Sequence, residues 1–399
     1  MFKTVVGHGI DPDSAGAIQE AMAQCQEALG NDIPQAGILI AAIDFDHETI
    51  LQDIRKIYPD ILIIGGTSVG EMSSAMGFQE DSLTLMLFCS DEVTFKVGAG
   101  KSVSEDALAA SKMAIAQASP ATPPEPDGPE SLKLCYVLAE GLLTNATALV
   151  EGLRTATENK TPIIGGLTAD DWQFKTCYQF ISTSEKTEVL RDALVVLTFA
   201  GNLKMSYSIE AGKRPIGPKA VVTKSEGNTI YEIDGQPAKD FYTQSFGMEE
   251  LMLTGGGSLV GSLAIREPNC TDFYVRSPNG NGHPDGSVSY FGHIPEQSII
   301  QLLETDNETL LTSAKKAVQT ALTTYPGKSP AAALIVSCAS RLKTMGTRTE
   351  QEYALAEECL THGTPIMGFH AFGEISPFAT QTVSHFHNET FIALLLGTC

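Results

Sequence analysis

The chain is poor in positive charge. Its 26 Lys and Arg stand against 48 Asp and Glu in 399 residues, a formal charge of -22. Such a surface repels phosphate backbones and anionic lipid, so neither nucleic acid binding nor membrane insertion is expected. Long apolar runs are also missing: none approaches the ~18 residues of a spanning helix, and Met1 to Ser14, broken by Gly7 and His8, has no secretory apolar stretch. The eight Cys lie far apart without a C-x-x-C pair, which argues against structural zinc and for reduced thiols in a cytoplasmic protein. Enzyme signatures are lacking too. Gly98-Ala99-Gly100-Lys101-Ser102 looks like the tail of a phosphate-binding loop, but the leading glycine would fall on Phe95. Gly255 to Gly261 lacks dinucleotide spacing, and neither a nucleophile elbow nor an H-E-x-x-H helix occurs. No enzyme, metal or obligatory cofactor is expected.

What the chain does have is an internal echo. Three segments read as apolar strand, glycine turn and carboxylate: Asp60 to Glu71 with Gly65-Gly66 and Ser68, Pro162 to Asp171 with Gly165-Gly166, and Pro365 to Glu374 with Gly368. In each an acid stands six residues after the leading glycine, namely Glu71, Asp171 and Glu374. Each segment follows a strand and a helix-like stretch and precedes another apolar strand. Runs of Ile, Leu and Val bounded by Gly and Pro mark buried strands alternating with helices. Residues from about 202 to 330 read differently: a strand turning at Asp234-Gly235, a helix from Ala238 to Phe246, an antiparallel meander through SLAIRE, FYVRS and VSYFGHI, and a helix over Ala314 to Leu322. The fold class is α/β and α+β, with repeated strand-helix-strand modules on a mixed sheet and a second domain of antiparallel strands. The Pro-rich stretch 120–129 reads as a stiff surface connection.

Glu210-Ala211-Gly212-Lys213-Arg214-Pro215-Ile216-Gly217-Pro218, Tyr231 to Ala238, Gly65 to Glu71, Phe372-Gly373-Glu374-Ile375 and His387-Asn388-Glu389-Thr390, taken in order, resemble the FIST family of sensory proteins. The resemblance implies an N-terminal domain over 1–220, with its core from about residue 30, and a C-terminal domain over 221–399. It implies a bacterial signal-transduction protein that binds a small ligand, an amino acid or similar metabolite. The two domains occupy nearly all of the length, so the signal is expected to pass in trans to a histidine kinase, cyclic-diguanylate enzyme or chemoreceptor. Some family members resemble haem-dependent nitric-oxide sensors, which gives an alternative reading; a protein-interaction scaffold is a third.

A site for free amino acids needs a cation or backbone donors for the carboxylate and an acid for the ammonium. Candidate acids are Glu71, Asp170, Asp171 and Glu374. Arg276 is the candidate cation, ahead of Arg266, whose neighbour Glu267 suggests a surface pair. Backbone amides at Gly65, Gly66, Gly165, Gly166 and Gly368 are candidate anion cradles, with Ser68 beside them. Trp172, the single Trp, is a candidate apolar wall, and His370 lies in the third glycine segment. If haem is held, noncovalently for want of a C-x-x-C-H motif, its ligand candidates are His370, His385 and His387.

Overall fold

Short apolar runs and amphipathic helices alternate in one order three times over. The first module holds β1 (Phe2–Gly9), α1 (Ser14–Leu29), β2 (Ala36–Ala41), α2 (His47–Ile57), β3 (Leu62–Thr67), β4 (Glu71–Ser73), β5 (Gly77–Gln79) and β6 (Leu83–Ser90). The second repeats it as β7 (Val93–Lys101), α3 (Ala107–Gln117), β8 (Leu132–Ala139), α4 (Ala146–Ala156), β9 (Ile163–Leu167), β10 (Gln179–Ser182), β11 (Thr187–Leu190) and β12 (Ala193–Gly201). The third opens with β13 (Lys204–Glu210) and is then interrupted. The interruption contains β14 (Arg214–Glu226), β15 (Thr229–Ile233), β16 (Gln236–Pro237), α5 (Ala238–Phe246), β17 (Leu263–Arg266), β18 (Tyr274–Arg276), β19 (Pro278–Gly282), β20 (Val288–Tyr290) and β21 (Ile299–Glu304). The third module resumes with α6 (Asn307–Thr324), β22 (Ala332–Cys338), α7 (Ala339–Met345), α8 (Thr349–Glu357), β23 (Ile366–Ala371), β24 (Glu374–Pro377), β25 (Ser384–His387) and β26 (Phe391–Gly397). This is a computed structural model describing residues 1–119, 131–142, 145–246, 261–267, 272–379 and 381–398. The Pro-rich connection, most of the Gly255 to Gly261 run, Cys270 and Cys399 lie outside the described residues.

The three modules build three sheets of identical order, β1-β6-β2-β3-β10-β11, β7-β12-β8-β9-β24-β25 and β13-β26-β22-β23-β4-β5. The last two strands of each sheet come from another module. The β4–β5 hairpin of the first module pairs onto β23 of the third, β10–β11 of the second onto β3 of the first, and β24–β25 of the third onto β9 of the second. This cyclic exchange closes the three modules into one body.

Side-chain alternation fills both faces of each sheet. Ile38 and Ile40 of β2, Tyr136 and Leu138 of β8 and Leu334 and Val336 of β22 point into one shared central core. The residues between them point outward onto helices: Leu39 toward α1 and α2, Val137 toward α3 and α4, Ile335 toward α6 and α8. Close seating of the first helix in two modules needs glycine. A Cβ on Gly7 or Gly9 would stand 2.0 or 1.9 Å from carbonyl oxygens of α1, and one on Gly98 or Gly100 2.1 or 2.0 Å from those of α3. The glycines that imitate a phosphate loop are therefore helix-packing positions.

Strand β1 pairs with β6 from Phe2 onward, and α1 buries Ile18, Ala21, Met22 and Cys25. The antiparallel sheet β18-β17-β21-β14-β15-β20-β19 is an insertion between β13 and α6, with its own core around Val222, Ile230, Ile265 and Tyr290. Its expected turn is present, with φ of +50° at Asp234 and +75° at Gly235. Helix α5 runs over the expected residues, and the expected 314–322 helix falls mostly in the C-terminal half of α6.

Candidate functional site

The parallel strand pairs β2/β3, β8/β9 and β22/β23 each end in loops on one side of their sheet, where α/β architectures place ligands. At the second and third of these ends the inserted sheet closes over the loops, and a cleft of about 650 Å³ lies between. Its floor is the β22–α7 turn, Cys338 to Ser340, with Asn388 and Glu389 from the β25–β26 turn; its roof is the inserted sheet at Asn228, Ser277 and Tyr290 to His293. One wall comes from the N-terminus of α4, at Asn145 and Ala146, and another is aromatic.

The aromatic wall is carried by the loop 168–178 between β9 and β10. Its non-glycine residues Asp171, Trp172 and Phe174 hold positive φ of 50°, 61° and 51°, a conformation that costs free energy at each position. Asp170 holds the loop in that shape. Its buried carboxylate accepts backbone N–H bonds from Phe174 at 3.0 Å, Lys175 at 2.6 Å and Thr176 at 3.0 Å. Phe174 then stacks on Phe372 with ring centroids 5.3 Å apart, Trp172 leans on both, and the Lys343 ammonium sits 5.0 Å from the Trp172 ring.

The floor is tied to the roof by a buried ion pair. Glu389, with φ of +59°, accepts hydroxyl bonds from Ser262 at 2.8 Å and Ser277 at 2.6 Å through Oε1, while Lys213 Nζ lies 2.6 Å from Oε2. Behind Cys338, Glu374 is fully buried. Its Oε2 accepts Thr390 N and Oγ1 at 2.9 and 2.7 Å, and burial pushes its carboxyl up to about 8 against those bonds. Burial likewise pushes the Cys338 thiol well above its ordinary range.

Of the residues singled out by sequence, the cleft takes Trp172. Gly65-Gly66 and Gly165-Gly166 are not turns but the interior of β3 and β9, hydrogen-bonded to strands on both sides, so their amides cradle no anion; Gly368 is likewise inside β23. Ser68 and Glu71 are buried at the junction of the first and third modules, where Ser68 Oγ and Ser82 Oγ donate to Glu71 at 2.5 and 2.6 Å. Asp170 is spent on its loop, and Asp171 is exposed beside Asp44, Glu80 and Asp81, where burial and then these neighbours push its carboxyl up. Arg276 is a strut. It donates to the carbonyls of His293, Val275 and Phe386 and packs over the Tyr274 and Phe386 rings.

The histidines proposed for haem do not fit it. His370 is sealed edge-on to Phe78 and 3.5 Å from Glu352, His387 bonds the Ser376 carbonyl at 3.0 Å, and His385 lies between Tyr274 and Phe378. None of the three lines the cleft, and no group of three metal-ligating side chains occurs among the described residues. Sequence reasoning missed Asn388, Glu389 and Phe174 as site residues, although the His387-Asn388-Glu389-Thr390 string was visible as a motif.

Compared with known protein families, residues 35–236 match the FIST N domain and residues 237–377 the FIST C domain. The chain belongs to the FIST family. FIST domains are sensory domains of signal-transduction proteins. The boundary between the FIST N and FIST C segments falls inside β16, so FIST C begins within the inserted sheet. Curated relatives include an uncharacterized protein of Methanocaldococcus jannaschii, 30% identical over 160 residues covering 37% of this chain and 30% of that one. Another, from Mycobacterium tuberculosis, is 28% identical over 204 residues, covering 50% of this chain and 52% of that one. The chain thus spans about half or less of the length of these relatives. Among solved structures, cyanuric acid hydrolase from A. caulinodans overlays at a TM-score of 0.38 with 8% identity over 100% of both chains, and PurLQS from Thermotoga maritima at 0.23 with 10% identity over 99% of this chain and 72% of that one. No helix among the described residues is long and apolar enough to cross a membrane.

Proposed function

We propose that this FIST protein senses a small metabolite, an amino acid or close analogue, in the cleft between the second and third modules and the inserted sheet, and signals to a separate output protein in the cytoplasm. The carrying observation is the cleft itself: about 650 Å³, in the size range of small-molecule sites, with an aromatic wall and a few polar groups at its floor. Asn388, whose buried Oδ1 has no hydrogen-bond partner among the described residues, supplies an acceptor for an ammonium group, and Asn145 at the start of α4 with the exposed Lys175 supplies donors for a carboxylate. A binding role suits the floor better than catalysis, because a thiol pushed up by burial offers no thiolate at neutral pH. Ligand held between modules and sheet favours one arrangement of the two, and that difference in affinity is what a partner would read.

Trp172, the single Trp, reports on this cleft. Titrating the twenty amino acids while following its fluorescence and the melting midpoint should show a saturable change with one chemical subset. A ligand at 100 times its Kd adds about 2.7 kcal/mol. In a chain of this length that raises the midpoint by several degrees. No fluorescence change and no shift with any amino acid would overturn the reading.

A further inference from the structure

Resting on that assignment of the cleft, we infer that the ligand carries a planar ring and that Phe174 and Trp172 are its specificity residues. Three observations converge. The loop 168–178 holds three non-glycine residues in the left-handed region within four positions, and a buried carboxylate is committed to keeping it there. Strain of this kind persists where the surroundings enforce it, and its effect here is to hold rings outward. Two of the rings at the cleft are exposed, Phe174 by 48% and Phe291 by 42%, from different elements of the fold. Single exposed apolar side chains are ordinary, but two exposed rings lining one cleft form an apolar surface that a ligand ring can cover.

The rings also select the kind of guest. A cage for an ammonium ion works through free ring faces whose negative quadrupole attracts the charge. Here Trp172 already carries the Lys343 ammonium and Phe386 the Arg276 guanidinium, 5.0 and 5.3 Å from their centroids. A second cation against those rings would meet like charge. A neutral aromatic ring meets no such penalty and stacks on the Phe174–Phe372 pair, which already adopts a parallel offset with 10° between planes. Among amino acids the geometry points to phenylalanine, tyrosine or tryptophan.

The test is calorimetric titration of the whole chain with phenylalanine, tyrosine, alanine, aspartate and lysine, and with benzoate and indole as rings lacking the amino-acid backbone. It is repeated on Phe174→Ala and Phe174→Leu. Phe174 is exposed, so both variants should fold, which the melting midpoint checks. The expected result is binding of the aromatic amino acids in preference to the other three, weakened about tenfold by Phe174→Ala and nearly as much by Phe174→Leu, which keeps the apolar volume but loses the ring. Binding of alanine, aspartate or lysine as tight as phenylalanine, or a Phe174→Ala variant of unchanged affinity, overturns the ring subsite and leaves the amino-acid sensor standing. Binding of indole or benzoate that depends on Phe174, with no amino acid bound, upholds the subsite and overturns the amino-acid assignment. No binding by any of the seven overturns both.

Discussion

Glu71, Gln179 and Glu374 open the equivalent exchanged strands β4, β10 and β24, opposite Phe369, Gly66 and Gly166 of their host sheets. Two of these positions are acids and one is an amide, and all three side chains are fully buried. Gln179 shows what the position requires: its Nε2 donates to Thr168 Oγ1 at 2.7 Å and its Oε1 accepts Ala193 N at 3.2 Å, with no charge involved. Burial pushes Glu71 up to about 7 against the hydroxyl bonds of Ser68 and Ser82. Glu352 is equally buried and goes the other way, to about 2, because burial is outweighed by Arg341, whose Nε donates at 2.9 Å, by the nearby His370 ring and by a bond from the Ser337 hydroxyl. The deciding difference is an adjacent cation. A carboxyl whose folded value is raised binds a proton in the folded state that the unfolded chain has released. Its contribution is therefore fully present below about 4.5 and is lost as the pH rises through about 7 for Glu71 and about 8 for Glu374. The stability difference between Glu71→Gln and the wild type should swing toward the variant by roughly 2–3 kcal/mol between pH 5 and pH 8. Urea unfolding at the two pH values measures it, and a pH-independent difference would show that Glu71 is ionised throughout.

At the level of elements, the loop 168–178 decides the site. The corresponding connections in the first and third modules span only 68–70 and 372–373. The extra chain lets the second module present Trp172 and Phe174, and Asp170 is its organising acceptor. Asp170→Ala leaves three N–H groups without that acceptor and frees three left-handed residues, so a loss of roughly 1–3 kcal/mol is expected, with a red-shifted Trp172 emission as the ring reaches water. Unchanged emission would mean the loop is held by its ring contacts instead. The length of this loop also explains what the sequence did and did not disclose. Strands and helices were readable because Ile, Leu and Val runs and glycine punctuation are local signals. The six-residue spacing matched Asp171 to Glu71 and Glu374, whereas the structural counterpart is Gln179, displaced by the longer loop. The exchanged strands β4 and β5 are three residues each, and nothing in so short a pattern names the sheet that receives them. The cleft went unread for the same reason: its floor, wall and roof come from Glu389, Phe174 and Tyr290, brought together only by the exchange and by the insertion of 214–304 into the third module.

For the whole molecule, the question is how the inserted sheet is held against the three-module body. The body has a central core shared by all three modules, while the insertion has a core of its own. Two buried cationic links join them: Arg276 reaching the Phe386 carbonyl, and Lys213 paired with Glu389, whose other oxygen takes Ser262 and Ser277 of the insertion. Both Lys213 and Glu389 are almost wholly buried, at 5% and 2% exposure, so neither charge has water to fall back on. Removing one partner of such a pair typically costs about 3–5 kcal/mol, because the survivor is left buried and uncompensated. In Lys213→Ala that cost should fall on the junction, since the central core contains no residue of the insertion. Amide exchange is then expected to quicken across 214–304 while β2, β8 and β22 keep their protection, a separation of two cooperative units. Adding Glu389→Gln to Lys213→Ala should recover part of the loss, because the amide can still accept from Ser262 and Ser277 without a buried charge. Uniformly faster exchange in both parts would instead mean that sheet and modules unfold as one, and a ligand in the cleft would then have no independent body to move.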